Sequence, residues 1–245
     1  MRNIKMIIEF DGTRYKGWQV QSTETSTIGE KFNKLLSKMT GEEIKVIGCG
    51  RTDSGVHAEN YIANFKTNDN KTLEEMFNYI NEYLPEDIVL KDIREASDRF
   101  HSRYNIVSKT YVYRINNNLY HNVFDRRYTL HVKEKLNVKD MIIASKSLVG
   151  THDFKSFTTL KSKNKTTVRT INYINISENN GYIELEFNGN GFLQRMVRII
   201  TGTLIEIGLG KRKKEDIINI LEAKKRSEAG FVALAHGLSM KEIKY

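Results

Sequence analysis

At 245 residues the chain has room for one large domain or two small ones, and with 39% hydrophobic and 28% charged residues it reads as a folded globular protein, not a disordered tail. No apolar run approaches the roughly 20 residues needed to cross a bilayer, and the single cysteine, Cys49, excludes an internal disulfide framework. Thirty-nine Lys and Arg against 30 Asp and Glu leave a formal charge of +9, which favours polyanionic partners, nucleic acid ahead of anionic membrane.

Residues 4–10 are β-branched and apolar and read as a strand ended by Asp11-Gly12. The N-terminus enters that strand with no signal-peptide layout, so a reducing cytoplasm is the expected compartment. Residues 28–39 place Ile28, Phe32, Leu35, Leu36 and Met39 on one helical face behind a capping box of Thr27 and Glu30. Strand-like segments follow near 44–48 and 60–66. A helix over 72–84 opens on a second capping box, Thr72 and Glu75, and a strand begins at Ile88. The second half repeats this order: strands at 104–115 and 127–132, a helix over 138–149 ending at Gly150, and strands at 168–177 and 182–188. Asn179-Asn180-Gly181 joins the last two as a hairpin. Helices at 192–207 and 214–223 and a strand at 238–243 complete it. The pattern predicts an α+β protein of two ferredoxin-like, split β-α-β halves with antiparallel sheets and a central active-site cleft. The expected domains are 1–103 and 104–245.

The basic residues are unevenly spread. Lys161, Lys163, Lys165 and Arg169 lie in a Ser/Asn/Thr-rich stretch, and Lys211-Arg212-Lys213-Lys214 and Lys224-Lys225-Arg226 flank the last helix. Aromatics interleave with bases in Arg99-Phe100-His101-Ser102-Arg103-Tyr104. Cations beside exposed rings suit RNA, whose unstacked bases need π-faces.

Between the strands near 44–48 and 60–66 runs Gly48-Cys49-Gly50-Arg51-Thr52-Asp53-Ser54-Gly55-Val56-His57-Ala58, a glycine-punctuated loop carrying one carboxylate between an arginine and a histidine. An aspartate in such a turn is ordinarily a turn former, bonded to its own backbone. The whole string, however, resembles the signature of the tRNA pseudouridine synthase A (TruA) family. Further matches follow in order: 10–19 (Phe-Asp-Gly-Thr-Arg-Tyr-Lys-Gly-Trp-Gln), Leu84-Pro85-Glu86-Asp87-Ile88, Phe100-His101-Ser102-Arg103, Lys109-Thr110-Tyr111-Val112-Tyr113 and Phe192-Leu193-Gln194-Arg195-Met196-Val197-Arg198.

The resemblance implies an isomerase that converts uridine to pseudouridine on the 3′ side of the tRNA anticodon stem-loop, as a homodimer spanned by one RNA. It implies Asp53 as nucleophile, Tyr111 as the ring stacked on the extruded uracil, and Arg198 as the cation that keeps the carboxylate charged against burial. Tyr111 and Tyr113 alternate onto one strand face, and family position selects Tyr111. Arg51 is expected on the RNA backbone or in the space left by the flipped base, Arg195 and the lysines 161, 163 and 165 on RNA, and His57 as a partner within the loop near the substrate rather than as acid or base.

No cofactor or metal is expected: six scattered histidines and one cysteine give no zinc spacing. Gly208-Leu209-Gly210-Lys211 lacks the Ser or Thr of a phosphate-binding loop, with Arg212 in its place, and the pair around Asn190 lacks a third glycine. The chain departs from the family at Asn60-Tyr61, where Gly-Gln is usual, at Gly29, where Gln is usual, and over 232–238, which replaces a Thr-Ala-Pro-Ala segment. These leave open a paralogue acting on another RNA, or a non-catalytic RNA-binding or chaperone protein. An intact set of Asp53, Tyr111 and Arg198 argues against the last.

Overall fold

The computed structural model describes residues 1–20, 26–161 and 165–245. The chain folds as α+β in two compact units, Met1–Val107 with Met240–Tyr245, and Ser108–Ser239.

In the first unit β1 (Arg2–Phe10), α1 (Ile28–Thr40), β2 (Ile47–Gly48), β3 (His57–Thr67), α2 (Leu73–Tyr83) and β4 (Ile88–Ala96) follow the split β-α-β order. β1 lies between β4 and β3, antiparallel to both, and β2 adds two residues against β3. Alternation along β1 turns Ile4, Met6, Ile8 and Phe10 to the core, and all four are buried. The helical stripe of Ile28, Phe32, Leu36 and Met39 on α1 is buried too, as are Met76 and Ile80 of α2. Each such side chain contributes roughly 1.5–3 kcal/mol of burial. The capping box at Thr72 and Glu75 is complete. At α1 only half of it forms. Thr27 Oγ1 accepts from the Glu30 N–H at 3.3 Å, whereas the Glu30 carboxylate turns forward to Lys34 at 2.8 Å.

The second unit contains β5 (Ser108–Asn116), β6 (Leu130–His131), α3 (Val138–Lys146), β7 (Gly150–Asp153), β8 (Val168–Asn179), β9 (Tyr182–Gly189), α4 (Met196–Gly208) and α5 (Asp216–Ala223). Its strands run in the order β5-β9-β8-β7, each pair antiparallel. Asn180 (φ 49) and Gly181 (φ 76) form the expected two-residue hairpin, whose turn needs positive φ at both places.

The main differences from the sequence expectation lie in this unit. β6 is two residues long and pairs with β5 in parallel, so the sheet is not wholly antiparallel. α3 stops at Lys146, three residues early, because Gly150 (φ 106) starts an unforeseen edge strand. That strand, β7, is short and polar and carries no hydrophobic alternation. α4 begins at Met196 instead of 192: Arg195 sits in the left-handed region (φ 60) as its N-cap, breaking a helix that the apolar period alone would extend. α5 likewise starts two residues late, at Asp216.

β10 (Leu238–Lys244) enters the first unit from Met240 onward, where it lies beside β3. Among the described residues no helix is long and apolar enough to cross a membrane.

Candidate active site

The signature loop occupies the connection from β2 to β3, and His57 and Ala58 already belong to β3. A second turn, over residues 11–18, is bonded to it at several points. The Thr52 hydroxyl accepts the Trp18 backbone N–H at 3.0 Å. The Tyr15 carbonyl accepts from the Ser54 hydroxyl (3.1 Å) and the Gly55 N–H (3.2 Å). Asp53 closes its own turn through its carbonyl, which takes the Val56 N–H at 3.2 Å. Glycine makes the approach possible: at Gly17 (φ +82) a Cβ would stand 2.2 Å from the Thr52 carbonyl oxygen, and at Gly12 it would stand 2.0 Å from that of Val56.

The 11–18 turn is itself anchored. Ile28 and Gly29, at the start of α1, donate to the carbonyls of Gly17 and Trp18. The Tyr15 hydroxyl donates to Asp87 at 2.6 Å, and burial together with that bond pushes the Tyr15 phenol up. His57 is buried, its Nδ1 3.0 Å from the Gly12 nitrogen and 3.1 Å from Asp11 Oδ1. One ring nitrogen either accepts from the amide or donates to the carboxylate, so the tautomer decides which bond forms. Both choices tie loop to turn. Asp53 is half-buried and Arg51 exposed at the loop's outer edge.

In the second unit Tyr111 and Tyr113 lie on one face of β5, opposite Phe187 and Leu185 of β9. Their surroundings differ. Tyr113 is fully buried, its hydroxyl donates to the Leu234 carbonyl at 2.8 Å, and a Cβ at Gly237 would strike its ring at 2.7 Å. Burial pushes its phenol up, with the Arg198 charge opposing the shift. Tyr111 is 9% exposed and meets Phe192 edge-on, with centroids 5.3 Å apart. Arg198, half-buried in the first turn of α4, donates Nε–H to the Ala233 carbonyl at 2.7 Å, and its own carbonyl takes the Ala233 N–H. The 232–238 stretch therefore carries the carbonyls that hold both Tyr113 and Arg198.

Lys161, Lys165 and Arg195 are exposed, and Lys163 lies outside the described residues. Part of the basic run at 211–214 is engaged within the fold, Arg212 with Glu206 and Lys214 with Asp140 at 3.0 Å. Lys224 pairs with Asp153 at 3.2 Å. Among the described residues no group of three His, Cys, Asp or Glu side chains is placed to hold a metal ion. Sequence reasoning gave no individual role to Tyr15 or Thr52, and marked Tyr61 and the 232–238 stretch only as departures from the family pattern. The glycines at 12 and 17 were the local sign that backbones meet here.

With this geometry in place, comparison with known proteins is informative. Residues 6–105 and 144–245 match the family described as tRNA pseudouridine synthase. The chain is 58% identical over 245 residues to "tRNA pseudouridine synthase A 1" of Clostridium tetani, 48% to "tRNA pseudouridine synthase A" of a Bacillus species (strain KSM-64), and 45% to "tRNA pseudouridine synthase A 2" of Bacillus cereus (strain ATCC 14579). Each alignment covers 100% of both chains. The chain belongs to the tRNA pseudouridine synthase family, and so to a class of isomerases.

Proposed function

We propose that this chain isomerises uridine to pseudouridine on the 3′ side of the tRNA anticodon stem-loop, with Asp53 as covalent nucleophile. The reaction breaks the bond from ribose C1′ to N1 of uracil and forms one from C1′ to C5. C5 loses a proton and N1 gains one, so atoms and electrons balance without any co-reactant. A carboxylate bonded to one fragment, ribose or base, holds it while the uracil turns. Tyr111 stacks on the uracil and takes the C5 proton. Arg198 keeps the carboxylate ionised, because a guanidinium offsets the cost of burying charge. Arg51 meets the RNA backbone or fills the gap left by the flipped base, and Arg195 and the lysines at 161, 163 and 165 hold RNA phosphates. His57, buried, fixes the loop beside them. A homodimer spanned by one tRNA is carried over from the family resemblance.

The observation behind this reading is the fixed backbone around Asp53, bonded through Thr52, Ser54 and Gly55 to the 11–18 turn. A nucleophile needs such preorganisation, since misplacement by about 1 Å can cost 10²-fold in rate. The test is Asp53→Asn. It should abolish turnover, scored as carbodiimide-dependent reverse-transcription stops in tRNA, and keep RNA affinity within about threefold. Parallel loss of binding and turnover would assign Asp53 a structural role only.

A further inference from the structure

One side chain grips the signature loop from the core side. Tyr61, four residues past His57 on β3, is fully buried. Its ring stacks on the Trp18 indole, with centroids 4.1 Å apart and planes inclined by 26°, and Phe10 lies 5.6 Å away. The Tyr61 hydroxyl donates to the carbonyl of Gly50. Gly48 makes room for this cluster: a Cβ there would meet the Tyr61 hydroxyl at 2.2 Å and the Trp18 Nε1 at 2.5 Å.

The two stacked residues therefore bond the loop on either side of Arg51. Tyr61 holds the Gly50 carbonyl through its phenol, and Trp18 holds the Thr52 hydroxyl through its backbone N–H at 3.0 Å. Asp53 is the next residue. Packing alone does not account for the hydroxyl. A phenylalanine would fill the same volume without the cost of desolvating an O–H group, which the bond to the Gly50 carbonyl offsets.

We propose that Tyr61 is a positioning residue for the isomerisation: its hydroxyl fixes the Gly50 carbonyl and so sets the backbone that presents Asp53. The assignment rests on Asp53 being the nucleophile. Tyr61 acts through Gly50 and touches neither uracil nor ribose.

Tyr61→Phe keeps the ring and removes the donor, so it separates positioning from packing. Single-turnover rate, tRNA dissociation constant and melting temperature are measured for it beside Asp53→Asn. It should turn over about 10–100-fold more slowly, with tRNA affinity within about twofold and a near-native melting temperature. Wild-type turnover overturns the proposal, as does a tRNA affinity that falls in step with the rate. If Asp53→Asn is inactive in that case, only the role of Tyr61 has failed. If Asp53→Asn remains active, the nucleophile assignment fails and the Tyr61 assignment with it.

Discussion

The hydroxyl of Tyr113 donates to the backbone carbonyl of Leu234 at 2.8 Å, and this bond distinguishes two tyrosines that sequence places on the same strand face. Tyr113→Phe should lower stability by about 1 kcal/mol, the usual net worth of such a bond, and leave turnover within a few-fold. Tyr111→Phe retains the ring beside Phe192 and loses the phenol oxygen, so turnover should fall at least about 10²-fold. Denaturant titration and single-turnover assays of the two variants measure both quantities. Equal effects in the pair would contradict this division of labour.

RNA affinity should fall steeply with salt, each neutralised phosphate adding roughly 0.7–0.9 to the log–log slope. Replacing exposed Lys161 and Lys165 together by serine should reduce that slope by about 1.4–1.8. Lys214, which pairs with Asp140, serves as the control. Lys214→Ala should leave the slope as it is. A slope indifferent to Lys161 and Lys165 would move the RNA surface elsewhere.

The capping box of α2 gives a pH-dependent contribution to stability. Hydrogen bonds from the Thr72 backbone N–H and hydroxyl hold the Glu75 carboxyl below its ordinary value of 4.5. A depressed folded-state value means stabilisation that is complete above the ordinary glutamate range and lost as pH falls through the folded value. The stability gap between wild type and Glu75→Gln should therefore be widest near neutrality and close in acid, as read from urea midpoints across that range. Thr72→Ala should cost about 1 kcal/mol at neutral pH. A gap that stays constant into acid would show that the carboxylate is not the stabilising species.

Turnover should survive a chelator, because neither proton transfer nor the exchange of one bond to C1′ for another calls on a Lewis acid. The check is the single-turnover rate with and without excess chelator, in buffer whose salt alone supports tRNA folding. Activity lost to the chelator and restored by one added metal would rewrite the chemistry.

Local rules made much of the fold legible. Periodicity and caps marked α1 and α2, and Asn180-Gly181 marked the hairpin, because each signal is complete within a few residues. β7 and the true start of α4 escaped. Thr151 and His152 carry no apolar alternation, and the left-handed backbone at Arg195 is imposed by surroundings that no window of sequence contains. The reactive groups were named by resemblance. Their supports were not: the bonds from Tyr61 to Gly50, Thr52 to Trp18 and Tyr113 to Leu234 join residues 11, 34 and 121 positions apart.

Residues 240–245 fold with the first unit, alongside β3. During synthesis the unit bearing Asp53 thus emerges first yet gains its final strand only after Ser108–Ser239 has left the ribosome. A chain cut short anywhere in the second unit therefore leaves the β3 flank uncovered.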